Sequence, residues 1–107
     1  MRIISYKEVE AKEVEGSSKL KIRWLNTKGS RIFAVRHIEI EPNGYSPHHS
    51  HPWEHEIFVL EGNGAAIGKE EVEPISVGDL ISIPAGETHQ IKNTGKSTLK
   101  ILCMIPK

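Results

Sequence analysis

Three observations predict an all-β fold, a sandwich or a barrel. Apolar and polar residues alternate at period two, β-branched and aromatic residues gather in short runs, and Gly/Pro-bearing turns break those runs at close intervals. Leu20, Ile22 and Trp24 alternate with Lys19, Lys21 and Arg23, as in a strand with one buried face. Residues 32–40 (IFAVRHIEI) form a second strand, which Pro42-Asn43-Gly44 is expected to end as a turn. Residues 55–61 and 65–69 flank Gly62-Asn63-Gly64, a three-residue glycine-bearing connection that predicts a β-hairpin. Further strands are expected at 80–83, 89–92 and 98–105. Residues 7–14 are the one helical alternative, through a Glu8/Lys12 pair.

The 107 residues are enough for one domain, 1–107, with a real core and no second unit. Fourteen Lys and Arg balance fourteen Asp and Glu without a basic stripe, so neither nucleic acid nor an anionic membrane is an expected partner. The single Cys103 cannot close an intrachain disulfide, and the opening MRIISYKEVEAKEVEG lacks the apolar core of a signal peptide. A cytoplasmic location is the expectation. No apolar run approaches the roughly 20 residues that span a bilayer.

Four of the six histidines carry the chemistry. His49, His51 and His55 lie in HSHPWEHE, and His89 lies in a Gly/Pro-punctuated segment about thirty residues on. Imidazole is the commonest metal ligand among side chains, and several converging on one point have few purely structural uses. Along a strand His49 and His51 face the same way, with Ser50 opposed. Past the Pro52-Trp53-Glu54 bend, His55 opens the next strand on the face of Ile57 and Val59, whereas Glu56 shares the other face with Phe58. His48 has the opposite parity to His49 and is expected to be exposed.

Gly78, Pro84, Gly86, His89 and Asn93 reproduce the pattern G(X)5PXG(X)2H(X)3N over residues 78–93. Gly44, His49, His51 and Gly62 reproduce G(X)5HXH(X)3-4E(X)6G over 44–62, with one residue fewer before the first histidine. On these residues the chain resembles the cupin superfamily, which implies a small single-domain jelly-roll β-barrel. The pattern's glutamate should follow the HXH pair by three or four residues and precede the closing glycine by six. Both counts reach His55, and Glu56 satisfies only the first. The resemblance therefore implies a four-histidine site, His49, His51, His55 and His89, with Glu56 outside it.

Such a site holds one divalent transition metal per chain. Similarity to four-histidine cupins favours manganese or iron, and all-imidazole ligation is also compatible with Zn, Ni, Co or Cu. Four neutral ligands leave the +2 charge uncompensated and two positions open, which suits an anionic or chelating small-molecule substrate. With no general base placed beside the ligands, a dioxygenase-like oxidoreductase is the leading expectation. Non-redox isomerisation or decarboxylation of a small sugar acid or keto acid is the second, and a non-catalytic binding module the third. Three further side chains are candidates for the pocket. Trp53 stands in the bend between ligands, where it either walls the mouth or packs as a turn aromatic. At most one of Arg36 and His37 points into a regular barrel, and Arg36 inside would anchor a carboxylate. Cys103 shares a face with Leu99, Ile101 and Ile105 and reads first as core. The resemblance also implies a homodimer, for which Ile3, Ile4, Tyr6, Val9 and Val14 offer apolar material.

Overall fold

A computed structural model describes residues 1–26 and 32–107. The strands are β1 (Ser18–Trp24), β2 (Phe33–Tyr45), β3 (His55–Glu61), β4 (Asn63–Ile67), β5 (Val72–Ser76), β6 (Leu80–Ile83), β7 (Gln90–Lys92) and β8 (Leu99–Pro106). They form one curled sheet in the order β5-β4-β7-β2-β8-β3-β6, with β1 on the other edge of β2. All described pairings are antiparallel. The curl is all-β, as the period-two pattern predicts.

Alternation decides which side chains fill the curl. On β2, Ala34, Ile38 and Ile40 face inward and are buried. Opposite them on β8, Leu99, Ile101 and Cys103 are almost completely covered, as are Ile57 and Val59 of β3. With Leu20, Ile22, Ile75, Ile83 and Ile91 these residues, Ala34 apart, make one continuous apolar core. Burying such a side chain is worth about 1.5–3 kcal/mol, so the inner face dominates the stability of the sheet.

Four elements differ from the sequence expectation. Pro42-Asn43-Gly44 does not end β2; the strand runs on to Tyr45. Asn43 is at φ 71°, and the run from Ile40 to Tyr45 faces only Leu20 to Ser18, so the turn residues make a bulge. There β2 changes partner, leaving β8 at Leu99 and taking β7 at Lys92. Such bulges bend a strand and let a sheet curl.

The predicted hairpin at Gly62 is not one. β3 pairs with β6 and β8, while β4 pairs with β5 and β7, so the chain turns a corner instead of folding back. Gly62 makes the corner at φ 83°, and a Cβ there would meet the Thr98 carbonyl oxygen at 2.7 Å. The hairpin partner of β4 is β5, a strand disguised by Pro74, which an edge strand tolerates.

Residues 7–14 form no helix beyond a single 3-10 turn, Tyr6–Glu8. Lys12 instead exchanges two backbone hydrogen bonds with Ile22, of 2.9 and 2.8 Å, which satisfy the edge of β1. These bonds outweigh the few tenths of a kcal/mol of one i,i+4 ion pair. Finally, the strand expected from 89 begins at Gln90, His89 being held in an isolated bridge to His49. Among the described residues no helix is long and apolar enough to cross a membrane.

Candidate metal centre

The histidines come from three places that backbone bonds tie together. His49 and His89 exchange two amide-to-carbonyl bonds, of 3.1 and 2.9 Å, which fasten the HXH segment to the second motif. The Gly86 amide donates to the His51 carbonyl at 2.7 Å. Gly86 is at φ 81°, a conformation cheap for glycine alone, so the turn before His89 can close against His51. His55 opens β3 and pairs with Ile83 of β6.

The side chains then converge. Ligand atoms of His49, His51 and His89 all lie within 4.8 Å of one another. Ring centroids are 4.9 Å apart for His49–His51 and His49–His89, and 4.8 Å for His51–His89. The rings meet edge-on rather than stacked. Nδ1 of His51 is buried without a hydrogen-bond partner among the described residues, a costly state for a polar atom unless a ligand supplies the partner. Three neutral imidazoles with a free buried nitrogen fit a borderline-soft divalent transition metal.

The four-histidine expectation is left unconfirmed, for His55 is not one of the three whose ligand atoms lie together. Its ring is 4.7 Å from that of His51 and 5.2 Å from that of His89, and it lines the same cavity as the other three. Its nitrogens, however, are otherwise engaged. Arg36 Nη2 lies 2.5 Å from His55 Nε2, and a guanidinium can only donate, so Nε2 accepts. The proton of the neutral ring is therefore on Nδ1, which points at His89 Nε2 at 3.3 Å. His89 in turn directs Nδ1 to the Glu87 carbonyl at 2.9 Å. This tautomer assignment follows from the network. Three histidines bring possible ligand atoms together here, and His55 Nε2 is turned toward Arg36 and Cys103.

The cavity beneath the cluster has a volume of about 230 Å³ and is lined mainly by apolar groups, among them Ile22, Trp24, Ile38, Ile57 and Ile101. Among the described residues no carboxylate lines it. Arg36 enters it from β2 and lies over the Trp24 ring, 5.1 Å from the centroid. Cys103 is both core and cavity wall: it is 1% exposed, yet its Sγ is 2.9 Å from both His55 Nε2 and Arg36 Nη2. Trp53 stacks on His51 at 4.6 Å and walls the mouth. Glu56 lies on the opposite face of β3 and accepts a hydrogen bond from Ser82 Oγ at 2.6 Å. His48 is exposed. His37, on the outer face of β2, is buried under Tyr6, whose ring stacks on it at 4.2 Å. The role of Trp24 escaped the sequence reading, although its alternation with Leu20 and Ile22 places it inside.

Burial sets the protonation of the cluster. Loss of solvent pushes the pKa of His49 and His51 below the ordinary value, and the neighbouring His89 adds to this. His55 is lowered to about 3, by burial first and then by the charge of Arg36. The Cys103 thiol is pushed up to about 11 because burial outweighs the attraction of Arg36. Burial thus favours the uncharged forms of the His49, His51 and His55 imidazoles and of the thiol, beside one guanidinium.

Residues 36–105 match the family described as Cupin domain. The chain belongs to the cupin family. This cupin is 33% identical over 94 residues to the oxalate-binding protein of Thermotoga maritima, with 87% of this chain and 75% of that one covered. It is 31% identical over 71 residues to 1-methylthio-D-xylulose 5-phosphate methylsulfurylase of Rhodospirillum rubrum, covering 66% of this chain and 46% of that one. The cupin spans about half the length of such curated relatives, 49% in the case of auxin-binding protein 1 of Arabidopsis thaliana. Among solved structures, the polyketide cyclase RemF from Streptomyces resistomycificus superposes with a TM-score of 0.90 at 32% identity, covering 99% of this chain and 79% of that one. A predicted oxalate decarboxylase from Thermotoga maritima shares the fold, with a TM-score of 0.88 at 24% identity over 98% of both chains.

Proposed function

We propose that this cupin is a metal-dependent enzyme acting on a small oxygen-donor organic molecule by non-redox chemistry, such as isomerisation, cyclisation or decarboxylation. The observation that carries the reading is the meeting of His49, His51 and His89 at the mouth of an apolar cavity without carboxylates. These three residues would hold the ion, with His55 as a fourth ligand once its ring turns from Arg36. A bound divalent ion supplies Lewis acidity toward a substrate oxygen. The apolar walls exclude water and strengthen every electrostatic contact inside. Trp53 narrows the entrance. A cavity of about 230 Å³ lies below the roughly 300–1,000 Å³ of drug-sized ligand sites, so the substrate is small.

The likeness to a polyketide cyclase supports the non-redox form, and that to an oxalate-binding protein supports a small oxygen-donor ligand. A second reading, a dioxygenase-like oxidoreductase using manganese or iron, is supported by the lack of any carboxylate to serve as general base in the cavity. Zinc separates the two, because it has no redox chemistry. Zinc-loaded protein that turns over small keto acids and sugar acids without oxygen is the expected result. Turnover confined to the manganese or iron form, with oxygen uptake, would instead establish the dioxygenase. Stoichiometric binding without turnover in all forms would refute both.

A further inference from the structure

We propose that Arg36 is the specificity-determining group of the cavity and binds the carboxylate of a small substrate whose remaining body is apolar. The proposal deepens the reading of this cavity as a substrate site and rests on it. Arg36 shares the inner face of β2 with Ala34, Ile38 and Ile40, all buried. A cation in such a wall normally has a carboxylate partner. Arg36 has none: among the described residues it enters no ion pair, and its Nη2 bonds only the neutral His55 imidazole and Cys103 thiol. Its Nε is buried and has no hydrogen-bond partner among the described residues.

The guanidinium is held ready rather than loose. The Trp24 ring stacks under it, and the Nη2 contacts to His55 and Cys103 hold it at the cavity wall. A cavity carboxylate can accept from this guanidinium in place of the neutral His55 and Cys103 groups, giving a charge-assisted hydrogen bond stronger than either. A phosphate fits it poorly, for it carries about −1.5 to −2 charges and three acceptor oxygens. Among the described residues the cavity offers no lysine and no second arginine to meet them. The remaining wall, Ile22, Ile38 and Ile101 with Trp24, takes an apolar body.

The test uses benzoate and benzamide, which have the same shape and differ in charge. Calorimetric titration into the metal-free protein should show binding of benzoate and at least about tenfold weaker binding of benzamide, as expected for loss of a charged hydrogen-bonded pair. Arg36→Met should lose benzoate binding by a similar factor while its circular dichroism stays that of the parent. Arg36→Lys, which keeps a cation but not the fork, should fall between them. Should Arg36→Met fail to fold, the benzoate and benzamide contrast on the parent protein decides alone. Equal binding of the two probes, or benzoate binding unchanged in Arg36→Met, overturns the proposal. Metal content measured on the same preparations separates the two readings. Benzoate binding that needs Arg36 in protein unable to take up metal refutes the metal enzyme and leaves the anchor standing. Benzoate binding that needs only the metal does the reverse.

Discussion

At His37 burial decides a protonation state far from the cavity. The ring is 5% exposed, stacked on Tyr6, and its pKa is lowered, by burial first and against the pull of Glu39. The folded chain therefore holds it neutral, while the unfolded chain takes up a proton near pH 6.5. Stability is present above pH 6.5 and falls as pH drops below it, by at most about 1.4 kcal/mol per pH unit for one group. His49, His51 and His55 add to the same trend. Replacing His37 by Phe keeps the ring stack and removes one titration, so urea midpoints measured between pH 7 and 5 should fall less steeply in that variant. An unchanged slope would contradict the assignment. At this scale alternation made the opposite facing of His55 and Glu56 legible. The direction of the His55 nitrogens was not, because it is set by Arg36 and Cys103, 19 and 48 residues away in sequence.

At the scale of elements, the second motif holds the curl together as well as the site. Asn93 is buried between strands; its Nδ2 donates to the Ile40 and Ser97 carbonyls at 2.8 and 2.9 Å, and its Oδ1 accepts from the Gly95 amide at 2.8 Å. Asn93→Ala leaves these backbone groups unpaired and should destabilise the fold by roughly 2–4 kcal/mol in chemical denaturation. Gly62→Ala forces a Cβ onto the Thr98 carbonyl at a left-handed φ and should cost at least about 1–2 kcal/mol. A cost near zero for either would mean that the corner relaxes freely. Both residues stand out in the sequence, yet the pairing around them does not. Period two reports which face a residue takes and says nothing of which strand lies beside it. For this reason Gly62 read as a hairpin, and Pro74 concealed β5.

For the molecule as a whole, the all-β class and the curl were legible because nearly every strand shows one apolar face. The cavity was less so. Its walls are ordinary core residues, and only the curl reveals that they stop short of filling it. The homodimer implied by the family resemblance is proposed to use the outer face of β2, β8, β3 and β6, where Phe33, Phe58 and Leu80 are exposed and Leu102 pairs with Phe58. Tyr6 and Val14 are spent on the barrel itself, which leaves Ile3 and Ile4 of the N-terminal apolar set exposed. Light scattering should give twice the 12.0 kDa of the chain, and Phe58→Lys should halve it. A monomeric parent would refute the dimer. The central claim is that the histidine cluster holds a metal, and elemental analysis of protein purified without an affinity tag tests it most directly. The account predicts one divalent ion per chain in the parent and in Glu56→Gln, and its loss in His51→Ala. Metal retained in His51→Ala and lost in Glu56→Gln would contradict it.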